Sequence, residues 1–126
     1  MANANDTLVS VRAPVGDINR ADEECCVGRG VAAVRHKSGA ASYTYYAMES
    51  LYPEFGKFEA EGTVFGSINK KNFEGLKLVI PPEGLISKFE GIAASIDAQI
   101  QNLEVESRTL GNLRDTLMPK LLCGTA

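Results

Sequence analysis

Phe89-Glu-Gly-Ile-Ala-Ala-Ser-Ile96-Asp-Ala-Gln-Ile-Gln-Asn-Leu103-Glu-Val-Glu-Ser-Arg-Thr-Leu110-Gly-Asn-Leu-Arg-Asp-Thr-Leu117 carries an apolar side chain at every seventh position. A strict seven-residue repeat drifts around a straight helix of 3.6 residues per turn. The row formed by Phe89, Ile96, Leu103, Leu110 and Leu117 therefore stays dry only where helices supercoil left-handedly against each other. The spacing predicts one helix from Leu85 to Leu117, roughly 50 Å long at 1.5 Å per residue. Its flanks are mixed: Ala93, Ile100, Ser107, Arg114 and Leu121 on one side, Ile92, Gln99, Glu106, Leu113 and Lys120 on the other. The polar stretch from Gln99 to Ser107 suits a narrow two-helix contact better than burial in a core. A single amphipathic helix packed on its own domain is the plainer alternative.

If residues 84–126 form helix and tail, residues 1–83 remain for a globular part. A part of that size buries only about 60–65% of its unfolded surface, so it leans on the helix, on a second copy or on another chain. The expected fold class is α+β: a small mixed globular part of short strands and helices, then one long C-terminal coiled-coil helix.

Within the globular part, Leu8, Val9 and Val11 read as a short strand that stops at the Pro14–Gly16 turn. Asp17 to Glu24 reads as charged loop, and Val31-Ala-Ala-Val34 as a strand buried on both faces. A helix opens at Ser42 as N-cap, turns Tyr43, Tyr46, Ala47 and Leu51 to one side, and ends at Pro53. Residues 53–61 carry turn residues and read as loop. Thr63-Val-Phe65 is a candidate third strand, and Asn69 caps a single helical turn. Leu76-Lys-Leu-Val-Ile80 is the clearest strand pattern, and it closes on Pro81-Pro82, which can open the long helix. Pro119 is expected to end that helix.

Composition narrows the function classes. Net charge is −3, and residues 1–83 hold nine Lys/Arg against eleven Asp/Glu, so no polybasic surface is present to grip nucleic acid non-specifically. Sequence-specific binding through a small local patch remains open. Cys25, Cys26 and Cys123 lack C-x-x-C spacing and have only His36 to join them, so reduced thiols rather than a metal site are expected. No apolar run reaches about 18 residues and no charged-then-apolar leader opens the chain, which predicts a soluble, cytoplasmic protein without a membrane partner. No nucleophile, phosphate-loop or zinc-protease motif occurs, so no catalytic residue and no cofactor are assigned.

The most informative polar stretch is Gly66-Ser-Ile-Asn-Lys-Lys-Asn72. Lys70 and Lys71 can neutralise phosphates, Asn69 and Asn72 can meet donors and acceptors on a base edge, and Ser67 adds a hydroxyl. A solvated turn between two strands is the competing reading. Arg12, before the Pro14 turn, and Arg29, between two glycines, can each reach a phosphate or stand as ordinary surface charges. Tyr43, Tyr45 and Tyr46 could offer a stacking platform, but helical spacing turns at least two of them inward.

Two blocks then resemble one family. Gly66-Ser-Ile-x7-Leu76-x-Leu-x-Ile80-Pro81-Pro82 resembles the end of a target recognition domain in the specificity subunits of type I restriction-modification systems. Phe89-Glu90 together with Leu110-x-x-Leu113-Arg114-Asp115-x-Leu117-Met118-Pro119-Lys120-Leu121-Leu122-x-Gly124 resembles the helical spacer of those subunits and its exit. Leu8-Val-Ser-Val-Arg-Ala-x-x-Gly16 is similar to a strand and turn common there. The matches run from about residue 7 to residue 124.

The resemblance implies a non-catalytic DNA-recognition protein. In the usual arrangement two recognition domains alternate with two long helices that pair antiparallel, each domain reading half of a split DNA sequence. Roughly 50 Å of helix corresponds to about 15 base pairs at 3.4 Å each. Residues 1–83 would be a partial target recognition domain and 84–126 a spacer and dimerisation helix. Arg12, Ser67, Asn69, Lys70, Lys71 and Asn72 would face double-stranded DNA, while Phe89, Ile96, Leu103, Leu110 and Leu117 would pair helices. Partners would be the modification (methyltransferase) and restriction (motor-nuclease) subunits, giving a DNA methylation or restriction complex. The chain departs from the family in showing one recognition segment and one spacer, with the usual first part of the domain absent before residue 7. A homodimer through the long helix is the natural way to cover its seam. The alternative is a truncated protein-interaction module that pairs helices with modification subunits and does not bind DNA.

Overall fold

The computed structural model describes residues 1–60 and 66–124, and the candidate strand Thr63–Phe65 lies outside them. The chain divides into two compact units, Met1–Gly91 and Ile92–Ala126. The first holds a three-stranded antiparallel sheet in the order β2-β1-β3: β1 (Thr7–Ser10) lies between β2 (Ile18–Arg20) and β3 (Val31–Val34). Leu8 pairs with Asn19 on one side and with Ala33 on the other. Alternation along β1 sends Thr7 and Val9 inward. Val9 meets Val15, Leu51, Phe55 and Ile68 in the core, with Val9 and Phe55 fully buried.

Helix α1 (Ala41–Glu49) packs on β1 and β2, and α2 (Tyr52–Ala60) carries Phe55 into the core. The single turn α3 (Lys70–Glu74) begins at the expected cap, where the Asn69 side chain accepts the Asn72 amide at 2.8 Å. The long helix α4 (Glu83–Leu122) runs unbroken for 40 residues, about 60 Å at the standard rise. This α+β architecture agrees with the fold class expected from sequence.

Several local expectations are corrected. Residues 76–80 form no strand: Leu76 and Leu78 reach the core from an extended segment, while Val79 and Ile80 face solvent. Alternation alone created the strand pattern, and no ladder partner lies beside the segment among the described residues. Conversely, the stretch whose charges suggest a loop contains β2, because β1 supplies backbone partners whatever side chains 18–20 carry. Val31–Val34 is flanked by β1 alone among the described strands, and Val31 and Ala33 are exposed rather than buried on both faces.

The helix ends differ as well. Ala40, not Ser42, is the N-cap of α1 and makes no side-chain cap bond. Pro53 opens α2 instead of ending α1, since its missing N–H is not needed in a first turn. Pro119 sits within the last turns of α4, where the Cys123 amide still reaches the Pro119 carbonyl at 3.0 Å. The helix stops instead near Gly124, whose φ of +69° suits a left-handed C-terminal cap.

Two contacts hold the sheet's margins. Between β1 and β2 the chain turns through a cis Ala13–Pro14 bond and Gly16, whose φ is +89°. A Cβ added at Gly16 would stand 2.5 Å from Phe55 Cβ. At the other end of β1, buried Asp6 receives the Arg35 guanidinium, with Arg35 Nε 2.6 Å from Oδ1, and the Asn3 amide at 2.7 Å. The Arg35 hydrogen bond holds the Asp6 carboxyl below the usual aspartate range, against the opposing effect of burial.

Gly16→Ala is expected to lower unfolding free energy by about 2–4 kcal/mol, from the left-handed backbone and the overpacking against Phe55 together. A shift in the urea midpoint without a change in slope reads this directly. The Asp6 carboxylate contributes stability that is complete above the usual aspartate value near 3.9 and lost as pH falls through its lowered folded value. Urea midpoints measured between pH 7 and pH 2.5 should therefore show an acid limb that Asp6→Asn diminishes.

Candidate nucleic-acid interface

Three chain segments meet beside the exposed end of β1. The Val11 amide donates to the Gly30 carbonyl (2.9 Å), and the Ile68 amide donates to the Val11 carbonyl (3.0 Å). Arg12 and Ser67 form a bridge in antiparallel register. Ile68 is buried in the core, which anchors the polar stretch on both sides of it. The local sequence explains the geometry: Val11 and Ile68 point inward, so the alternate residues Arg12, Ser67 and Asn69 project outward.

The result is an open cavity of about 430 Å³ lined by Arg12, Arg29, Ser67, Asn69 and Lys70, with Val11, Ala32, Ile68 and Phe73 as its apolar floor. Three lining side chains are cationic and none is acidic. Lys70 Nζ lies 3.7 Å from Glu74 Oε1, but both side chains are well exposed, so the pair is weak and easily exchanged for another anion. Asn69 spends its carbonyl oxygen on the Asn72 amide, leaving its two N–H donors for a ligand. Chemically the cavity offers positive charge, a hydroxyl and amide donors, a set suited to phosphate oxygens with one polar group near a base edge.

The expected residues fall into two groups here. Arg12, Ser67, Asn69 and Lys70 line the cavity together, whereas Lys71 and Asn72 lie exposed on α3 outside its lining. Arg29, whose sequence context fits either a phosphate contact or an ordinary surface charge, joins the first group. Its signal was its place between Gly28 and Gly30, a tight turn just before β3 that delivers it beside Arg12.

The aromatic residues belong elsewhere. Tyr43 and Tyr46 pack edge-on against Phe89 at 6.4 and 5.9 Å between centroids, and Tyr45 lies under the Arg20 guanidinium at 4.7 Å. Glu90 accepts the Ser42 and Tyr43 amides at 3.1 and 2.8 Å, which supplies the cap that Ala40 lacks. Phe89 and Glu90 thus work as a pair against α1. Farther along α4, Ile96, Leu103, Leu110 and Leu117 are all exposed.

The three cysteines are free, and no cluster of three or more metal-ligating side chains occurs among the described residues. No helix of the described residues is long and apolar enough to cross a membrane.

Comparisons with known proteins point one way. The family model of the type I restriction modification DNA specificity domain matches residues 2–104. The MjaX type I restriction enzyme specificity subunit of Methanocaldococcus jannaschii is 32% identical over 124 residues, covering 94% of this chain and 28% of that protein. The MjaIX specificity subunit of the same organism is 27% identical over 67 residues, covering 53% of this chain and 16% of that protein. Among solved structures, the S subunit of a type I restriction-modification system from M. genitalium superposes with a TM-score of 0.72 over 96% of this chain and 33% of its own. At 19% identity that match speaks for the fold alone. The HsdS subunit from Thermoanaerobacter tengcongensis gives a TM-score of 0.58 at 28% identity, over 99% of this chain and 31% of its own. The chain spans less than a third of the length of the curated relatives it matches.

Proposed function

The chain belongs to the type I restriction modification DNA specificity domain family, and on that premise we propose that it reads a DNA sequence for a type I restriction-modification complex without catalysing a reaction itself. The observation that carries this reading is the convergence of Arg12, Arg29 and Lys70 on one cavity in a chain of net charge −3. Scattered surface cations would not require three separate segments to be tied by main-chain bonds. In this reading the cations hold phosphates on both sides of a groove, while Ser67 and the Asn69 amide reach toward base edges. Lys71 and Asn72, outside the cavity, serve at most as peripheral phosphate contacts.

The long helix acts as spacer and assembly surface. Its apolar row of Phe89, Ile96, Leu103, Leu110 and Leu117 pairs with a second long helix, and the natural source of that helix is a second copy of the chain. The modification and restriction subunits would supply the methyl transfer and the DNA translocation and cleavage. A second reading, a helix-pairing module that no longer binds DNA, is favoured by the acidic net charge and the long exposed apolar row.

A labelled duplex library titrated by fluorescence anisotropy, with modification subunit present and absent, separates the two. Arg12→Ala and Arg29→Ala should each weaken binding and reduce the salt slope by about 1. Unchanged affinity and slope would refute the cavity as the DNA site. For the spacer, Leu103→Asp places an unpaired charge in the paired seam and should convert dimer to monomer in sedimentation equilibrium. Leu103 is exposed in the single chain, so the fold should survive and circular dichroism should stay unchanged.

A further inference from the structure

The cationic cavity is one-sided in its hydrogen bonding. Arg12, Arg29 and Lys70 can only donate. The main-chain acceptors around them are spent inside the chain. The Val11 carbonyl takes the Ile68 amide, the Gly30 carbonyl the Val11 amide and the Gly28 carbonyl the Val31 amide, at 3.0, 2.9 and 3.2 Å. The Arg12 carbonyl takes the Ser10 hydroxyl at 2.7 Å, and the Asn69 carbonyl takes the Phe73 amide at 2.9 Å. Glu74, which Lys70 approaches at 3.7 Å, is not among the lining residues.

Asn69 completes the set. A free asparagine side chain both donates and accepts, which suits adenine, whose major-groove edge shows N7 beside an N6 amino group. Here Asn69 Oδ1 is occupied by the Asn72 amide at 2.8 Å. A backbone amide can only donate, so this bond fixes which end of the side chain is oxygen and leaves the NH2 group as the free end. The residue type that suits adenine is therefore a donor in this setting. Beneath the donors lie Val11, Ala32, Ile68 and Phe73, an apolar floor. Such a floor suits the major groove, where the thymine methyl group is displayed, better than the minor groove, which shows none.

We propose that Asn69 reads the N7/O6 edge of a guanine in the major groove and rejects adenine and cytosine. Their N6 and N4 amino groups would meet its NH2 group donor to donor, leaving both unsatisfied. Guanine ranks above thymine because N7 stands beside O6, so two N–H bonds find two acceptors, whereas thymine O4 offers one. Asn72 is a positioning residue, acting through its main-chain amide. The proposal rests on the DNA reading above and deepens it by naming the base edge that the cavity selects.

Asn69→Asp tests this with the fold held constant. Aspartate caps a helix as well as asparagine does, so the bond from the Asn72 amide is kept and the urea midpoint should not move. The free end changes from an NH2 donor to a carboxylate acceptor. The full chain, together with the modification subunit, selects from a randomised duplex library, and anisotropy titrations then compare the four bases at each selected position. The wild type should prefer guanine to adenine or cytosine by about tenfold at one position. Asn69→Asp should move that position to cytosine, whose N4 group donates, at lower overall affinity because of the added negative charge. Inosine in place of the guanine lacks only the minor-groove amino group and should bind as guanine does. Any other base leading at the position that Asn69→Asp changes would overturn the proposal. So would a variant that keeps guanine or shows no preference, or a loss of affinity with inosine. Binding with no base preference at all overturns the proposal while leaving the cavity a phosphate site. Absence of binding overturns the DNA reading and the proposal with it, so the two failures are told apart.

Discussion

The carboxylate of Glu90 is the point on which the first unit turns. Helix α1 starts at Ala40, which offers no capping side chain, so its leading amides need an acceptor from elsewhere. Glu90 takes two of them from a position 47 and 48 residues away in sequence. Hydrogen bonds to a charged acceptor contribute about 1.5–3 kcal/mol each, and the positive end of α1 adds to the attraction. Phe89, one residue earlier, sits against Tyr43 and Tyr46. The first turns of α4 are thus fastened to α1 by a polar and an apolar contact at once. Because α1 packs on β1 and β2, the fastening also fixes where α4 begins relative to the sheet. Were α4 to serve as a spacer, as proposed, its origin would have to be fixed, and the Phe89-Glu90 contacts with α1 supply that.

Charge needs to be read at two scales. A net charge of −3 is a statement about long-range steering and non-specific attraction, and it argues against both. The cavity of Arg12, Arg29 and Lys70 is a statement about a few ångströms, where main-chain bonds hold cations together against their mutual repulsion. Repulsion among three such groups is tolerable while water screens them, and it is relieved when an anion arrives. On the proposed reading, an acidic chain with such a cationic cavity would discriminate in favour of a duplex that fits. It lacks the diffuse attraction that would hold it on any duplex.

Sequence reading succeeded where a signal was local and failed where partners decided. The Asn69 cap and the seven-residue row of α4 are self-contained patterns, and both appear as expected. The cationic cavity was half legible: Gly66–Asn72 and Arg12 stood out as chemistry, but their convergence depends on the Arg12–Ser67 bridge, which joins residues 55 apart in the chain. Arg29 could be noticed only as a residue between glycines. Strand assignment failed in both directions for one reason. Residues 76–80 have the alternation of a strand and no ladder among the described residues, whereas 18–20 have a ladder and little alternation. Backbone pairing is a property of neighbours, and side-chain pattern is only its usual companion. Ser42 shows the same for helices: it looked like a cap, but a carboxylate from α4 did that work and Ser42 is buried inside the first turn.

The exposed apolar side chains of α4 carry a physical demand that the single chain does not meet. Ile96, Leu103, Leu110 and Leu117 remain about half exposed, and Ile92, Ile100, Leu113 and Leu121 widen the strip on either side. Burying a leucine or isoleucine side chain fully contributes about 1.5–3 kcal/mol, so even partial covering of such a strip amounts to a substantial association energy. The polar edge from Gln99 to Ser107 narrows the strip at its centre. Polar residues there allow one contact line and disfavour a thicker bundle, in which Gln99 and Glu106 would have to be buried. The same pattern that invites a partner helix thus favours a two-helix contact over a bundle. On the proposed reading, a pair would also hold two recognising cavities apart at one distance, which a bundle of variable size would not do.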